Sequence, residues 1–97
     1  MAERQVDQRL KREIERRGGL ARKIEWVNVR GAPDRDIYMP YGFRYLVECK
    51  FGAQGVLSVH QVARHRELAA LGTKVWIVKD EETLNEFLKQ VDKDQEI

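Results

Sequence analysis

The sequence predicts a single α/β domain whose elements run α-β-β-β-α-β-α, with a central mixed sheet flanked by helices. Three patterns carry that expectation. Val6, Leu10 and Ile14 recur every four residues and stop before Gly18-Gly19, which marks a helix with one apolar stripe and a terminator. Phe43 to Lys50 alternates between two kinds of side chain, as a strand with two different faces does. Thr73 to Val78, carrying Val75, Trp76 and Ile77, reads as a buried strand.

Each element follows in order. The first helix spans roughly residues 3–17, with Arg16 and Arg17 placed to complement its dipole. Lys23 to Val29 is rich in β-formers and is expected to be the first strand. Asp36 to Met39 is the second, closed by Pro40-Tyr41-Gly42, and Phe43 to Lys50 is the third. The short connection between them predicts an antiparallel hairpin. Gly52 to Gly55 is a loop, and a second helix runs from about Val59 to Leu71, ending at Gly72. Ser58 and Gln61 fit a capping box at its start. After the fourth strand, Asp80 or Thr83 opens a last helix carrying Leu84, Phe87, Leu88 and Val91.

Composition narrows the function classes. With 97 residues, 42% hydrophobic and 35% charged, the chain has the size and balance of one globular domain spanning 1–97. Its apolar runs are only a few residues long, too short to span a membrane. No basic-then-apolar leader opens it, so a cytoplasmic protein is expected, in the host cytoplasm if the chain is viral. A single cysteine, Cys49, excludes an internal disulfide and cannot alone build a zinc site. His60 and His65 lack zinc-ligand spacing with it and read as surface or partly packed helix residues.

The formal charge of +2 hides a division. Residues 1–30 carry 9 basic and 5 acidic side chains, residues 31–79 carry 7 and 4, and residues 80–97 carry 2 and 7. A basic body is masked by an acidic C-terminal stretch. Such a body suits a polyanion such as nucleic acid.

The chemistry concentrates on the third strand. Tyr45, Val47 and Cys49 share one face, while Leu46, Glu48 and Lys50 share the other. A carboxylate beside an ammonium is commonly a surface ion pair worth ~0–1 kcal/mol. It also suits a metal-binding acid next to a lysine that activates a nucleophile. The turn Gly31-Ala32-Pro33-Asp34-Arg35-Asp36 favours the second reading. Pro33 fixes the backbone and Gly31 permits close approach, so Asp34 is held at the sheet end. Where the hairpin register brings Asp34 beside Glu48, the two carboxylates need a cation between them. Oxygen ligands with spare water positions suit Mg²⁺ or Mn²⁺. Asp36 competes for the role, and Pro-Asp also favours a plain β-turn.

Gly31-Ala32-Pro33-Asp34-Arg35, Glu48-Cys49-Lys50, Gln61 and Leu71-Gly72, in that order, resemble the virus-type replication–repair nuclease (VRR-NUC) domain of the PD-(D/E)xK superfamily, in its stand-alone phage form. The resemblance covers about residues 3–78 and leaves the acidic stretch 80–97 outside. It implies a restriction-endonuclease-like core. It implies a divalent metal, Mg²⁺ or Mn²⁺, held by Asp34, Glu48 and the Cys49 backbone carbonyl. Lys50 would position water and offset charge on the phosphate, and Gln61 would reach the site, unless it serves only the capping box with Ser58. The superfamily also uses an acid on the first helix. Glu3 lies near the centre of the apolar stripe and has the family's spacing, and Asp7 at the stripe's edge is the alternate.

The implied reaction is metal-dependent hydrolysis of a DNA phosphodiester. Lys23, Arg22, Arg30, Arg35 and Arg64 are the candidates for tracking the DNA backbone, with Arg4 and Arg66 beside them. Stand-alone members resemble junction resolvases, so a homodimer cutting branched DNA, above all the four-way Holliday junction, is the leading expectation. Trp26, Tyr38 and Tyr41 are candidates for the dimer contact or the core. The rivals are a nuclease acting on flaps, ends or simple duplex, and a non-catalytic DNA-binding module on the same fold.

Overall fold

The computed structural model describes residues 3–50 and 56–96, apart from the side chain of Glu3. The elements are α1 (Glu3–Arg16), β1 (Leu20–Lys23), β2 (Arg35–Tyr38), a short 3-10 turn (Pro40–Gly42), β3 (Arg44–Cys49), α2 (Val59–Ala70), β4 (Val75–Val78) and α3 (Glu81–Asp94). They form one four-stranded sheet of order β1-β2-β3-β4. β1–β2 and β2–β3 are antiparallel, and β3–β4 is parallel, with α2 in the crossover. The α-β-β-β-α-β-α order and the mixed sheet are those expected.

One face of the sheet carries the core. Val6, Leu10 and Ile14 of α1 meet Ala21, Ile37, Tyr45, Val47, Cys49 and Val78 from the strands, and Leu84, Phe87, Leu88 and Val91 from α3. Phe87 lies at the centre, edge-on to Tyr45 and tilted against Trp76, with both ring centroids 5.5 Å away. α1 ends where the spacing predicts: the Gly19 N–H returns to the Ile14 carbonyl across Gly18, whose φ is +84°. At α3, Asp80 and Thr83 both serve. The Asp80 carboxylate accepts the Thr83 N–H at 2.8 Å, and the Thr83 hydroxyl accepts the Asp80 N–H at 3.1 Å.

The other face is thinly covered. Among the described residues α2 buries no side chain, and Leu20, Tyr38 and Ile77 of the strands remain 48%, 41% and 40% exposed. The loop before β2 meets the start of α2, where Gly31 lies against the backbone of His60 and Gln61.

The first strand lies elsewhere than expected. It occupies Leu20–Lys23, because Ala21 enters the core opposite Ile37, whereas Lys23 to Val29 was the expectation. The β-formers after Lys23 belong to a loop. There the Val29 N–H turns back to the Trp26 carbonyl, Asn28 is left-handed at φ +61°, and Val27 is 84% exposed. The expected loop Gly52 to Gly55 falls outside the described residues. No helix among the described residues is long and apolar enough to cross a membrane.

Candidate active site

The site grows from the end of the β2–β3 hairpin. Arg35 pairs with Val47 and Asp36 with Leu46, so one step further the register sets Asp34 across from Glu48. Asp34 is pinned from two sides. Its carboxylate accepts the Cys49 N–H at 2.7 Å, and its carbonyl accepts the Ile24 N–H at 3.0 Å. The loop that delivers it requires a glycine. Gly31 has φ +92°, and a Cβ there would lie 2.4 Å from the His60 carbonyl carbon and oxygen and 2.7 Å from the Gln61 nitrogen. The first turn of α2 therefore rests directly on the Gly31 backbone. Pro33, next to Asp34, is fully buried.

Glu48 has no solvent exposure, a costly position for a carboxylate unless polar partners surround it. One partner comes from α2: the His65 Nε2 lies 3.2 Å from Glu48 Oε1, with the His65 side chain 14% exposed. Burial and, to a lesser degree, Lys50 hold the His65 pKa below its ordinary value, while Asp34 acts in the opposite sense. Asp34, Glu48, Lys50 and His65 thus share one electrostatic neighbourhood. Lys50 is half-buried, and its N–H continues the sheet to the Val78 carbonyl at 2.9 Å.

A second arm reaches the site from α1. Asp7 takes the Arg35 Nε at 2.8 Å and Nη2 at 2.7 Å, and the Arg35 Nη1 donates to the Ala21 carbonyl at 3.0 Å. The Arg35 hydrogen bond is the main cause holding the Asp7 carboxyl below its usual range, and the same bond raises Arg35. The Cys49 thiol lies 3.8 Å from Asp7. Burial first, then the charges of Asp7 and Asp34, push its pKa far up, so it is an inert thiol. A cleft of about 470 Å³ opens here, lined by Arg4, Asp7, Lys23, Asp34, Arg35 and Cys49.

The expected residues therefore divide. Asp34, Glu48 and Lys50 come together. Gln61 is engaged at the helix start, where its side-chain oxygen accepts the Ser58 N–H at 2.8 Å and its own N–H bonds the Ser58 hydroxyl. Arg35, expected on the DNA backbone, is 6% exposed and committed to Asp7 and Ala21, so it is a buried brace. Arg22 and Arg30 are exposed, as are Arg4 and Arg66. Lys23 is exposed at the cleft. Arg64 is half-buried and pairs with Glu67 at 2.8 Å. Asp36 is occupied by Arg44 and the Tyr38 hydroxyl. The Glu3 side chain lies outside the described residues.

Two partners escaped the sequence reading. His65 stands four residues after Gln61, on the same helical face, and that spacing was a usable signal. Arg35 shares strand parity with the core residue Ile37, which points it inward.

Among the described residues no three His, Cys, Asp or Glu side chains form a ready metal cage. Asp34 and Glu48 nevertheless match Mg²⁺ or Mn²⁺ by donor type. Such ions commonly take one or two carboxylates and complete their shell with water and phosphate oxygens.

No family model matches the chain. A protein described as "Putative nuclease p44", from Acyrthosiphon pisum secondary endosymbiont phage 1, is 35% identical over 86 residues, covering 89% of this chain and 90% of that protein. A solved structure described as "VRR_NUC domain" aligns with a TM-score of 0.84 at 26% identity, over 92% of this chain and 97% of the other. With that relative, that structural match and the Asp34–Glu48–Lys50 end of the hairpin, the chain belongs to the VRR-NUC family.

Proposed function

We propose that this chain is a divalent-metal-dependent DNA endonuclease that cuts four-way junctions as a homodimer. The observation that carries the reading is the hairpin register, which sets Asp34 across from Glu48 with Lys50 two residues beyond. In this reading Asp34, Glu48 and the Cys49 backbone carbonyl hold Mg²⁺ or Mn²⁺. The ion, when bound, supplies Lewis-acid polarisation of the phosphate and lowers the pKa of water.

The chain's own groups do the rest. Lys50 places positive charge where the phosphate becomes more negative. Gln61 caps α2 through its side-chain oxygen and turns its side-chain amide nitrogen to the phosphate at the N-terminal end of that helix. Asp7 already holds Arg35, so we assign the acid of the first helix to Glu3. Arg22, Lys23, Arg30 and Arg4 contact backbone phosphates beside the cleft, without reading sequence. The thinly covered sheet face, with Leu20, Tyr38 and Ile77 exposed, supports pairing of two copies.

Purified chain with Mg²⁺ or Mn²⁺ is expected to cut a four-way junction in preference to flap and linear duplex, and Lys50→Ala to abolish cutting while DNA is still bound. A chain that cuts none of the three substrates would refute the enzyme. Equal cutting of all three would refute junction selectivity alone.

A further inference from the structure

α2 buries none of its described side chains, yet one of them reaches a fully buried acid. The His65 Nε2 lies 3.2 Å from Glu48 Oε1. Two independent features keep that contact in place. Gly31 seats the first turn of α2 against the loop that carries Asp34. The Ser58–Gln61 capping box fixes where the helix begins. His65 is one turn beyond Gln61, so the docking of the helix start sets where the imidazole meets the carboxylate.

We propose that His65 is a positioning residue for Glu48: it donates to one carboxylate oxygen and fixes the rotamer in which Glu48 is presented to a cation shared with Asp34. The inference rests on the metal-site reading above and deepens it. A glutamate side chain has three rotatable bonds, and two carboxylates brought together repel each other when no cation is present. A donor anchored on a separate element holds the acid in the binding geometry before the ion arrives. Hydrogen bonds to ligating carboxylates act in this way, and their loss typically lowers metal affinity about 10–100-fold. A purely structural role would instead leave metal affinity unmoved and appear only in stability.

The experiment is a Mn²⁺ titration of the full chain by calorimetry, without DNA, on the native protein, His65→Leu, His65→Phe and His65→Gln. The two apolar variants fill the space without a donor, and the glutamine amide keeps one. Mn²⁺ affinity is expected to fall about 10-fold or more in whichever of His65→Leu and His65→Phe folds, and to recover at least partly in His65→Gln. DNA affinity measured without metal should stay at the native value in all three. Native affinity for Mn²⁺ in a donorless variant would overturn the inference while leaving the metal site standing. Equal loss in the glutamine and donorless variants would also overturn it. Absence of Mn²⁺ binding by the native chain would overturn the metal-site reading and this inference together.

Discussion

Asp7 grips Arg35 through both carboxylate oxygens, at 2.8 and 2.7 Å, and so ties α1 to the strand residue next to Asp34. The same guanidinium reaches the Ala21 carbonyl on β1, so three elements meet at one planar group. Arginine suits this place because its fork donates in fixed directions, and a lysine cannot reproduce the two parallel bonds. The pair acts beneath the site, holding the sheet end that carries Asp34 at a set distance from the first helix.

Removing Arg35 leaves Asp7 partly buried with its main partner gone. Arg35→Ala is expected to destabilise the fold by about 3 kcal/mol, the scale for breaking a buried ion pair from one side. In a domain of this size that lowers the melting temperature by roughly 12–24 °C. Arg35→Lys should recover only part of the loss. A melting curve for Arg35→Ala that overlays the native one would show that the pair carries no load.

The same pair sets a pH dependence. Asp7 has a folded pKa below its unfolded value of about 4, so its contribution is present above that value and lost as pH falls through the folded pKa. Glu13 and Asp92, both lowered chiefly by Arg17, act in the same direction. Native stability in urea should therefore decline steadily below about pH 4. Arg35→Ala should show a shallower decline than the native chain, because its Asp7 is no longer held ionised. Parallel slopes for the two proteins would contradict the assignment to Asp7.

Gly31→Ala tests the seat of α2. The substitution meets both a left-handed φ of +92° and a backbone carbonyl 2.4 Å from the new methyl, with no flexible side chain to give way. A loss of about 1–3 kcal/mol is expected from the strained conformation. Cleavage should fall further than stability explains, because the displaced helix carries Gln61 and His65 away from the hairpin end. Activity that merely follows the folded fraction would reduce Gly31 to a structural residue.

The way these residues meet explains what was legible from sequence. α1, α3 and the hairpin are written in local periodicity, and Val6, Leu10, Ile14, Leu84, Phe87 and Val91 are all buried where that period places them. The register that sets Asp34 across from Glu48 follows from a short turn. Ile24, Trp26, Val27 and Val29 favour strands by type, yet the chain there turns, with the Val29 N–H on the Trp26 carbonyl and Asn28 left-handed. Propensity therefore points past the true strand at Leu20–Lys23. The charge of Arg35 suggests a phosphate contact, but its parity with Ile37 turns it into the core. The i, i+4 spacing from Gln61 sets the helical face of His65. Its meeting with Glu48, however, depends on how α2 docks, a contact between elements distant in sequence.

Cys49 separates side chain from backbone. Its thiol is buried, held far above the ordinary pKa, and remains protonated at neutral pH. The folded chain should resist a thiol-reactive disulfide reagent at pH 8 and react promptly in denaturant. Cys49→Ser should keep cleavage, since the proposed ligand there is the backbone carbonyl. Prompt reaction of the folded chain, or abolished cleavage by a well-folded serine variant, would give the sulfur a role that the geometry does not.

The charge division supplies the last test. Arg22 and Arg30 are exposed, neither enters a salt bridge among those described, and they lie on β1 and on the loop from it to Asp34. Lys89 and Lys93 belong instead to the acidic end of the chain, where residues 80–97 carry 7 acids against 2 bases. If the cleft side meets DNA, each of Arg22→Ala and Arg30→Ala should reduce the slope of log affinity against log salt by about 1. Lys89→Ala should leave the slope unchanged, since α3 packs on the opposite side of the sheet from α2 and carries that acidic stretch. Binding is best read without divalent metal, so that cleavage does not intrude. An unchanged slope in both arginine variants, or an equal drop in Lys89→Ala, would move the DNA off the cleft and refute the proposed orientation.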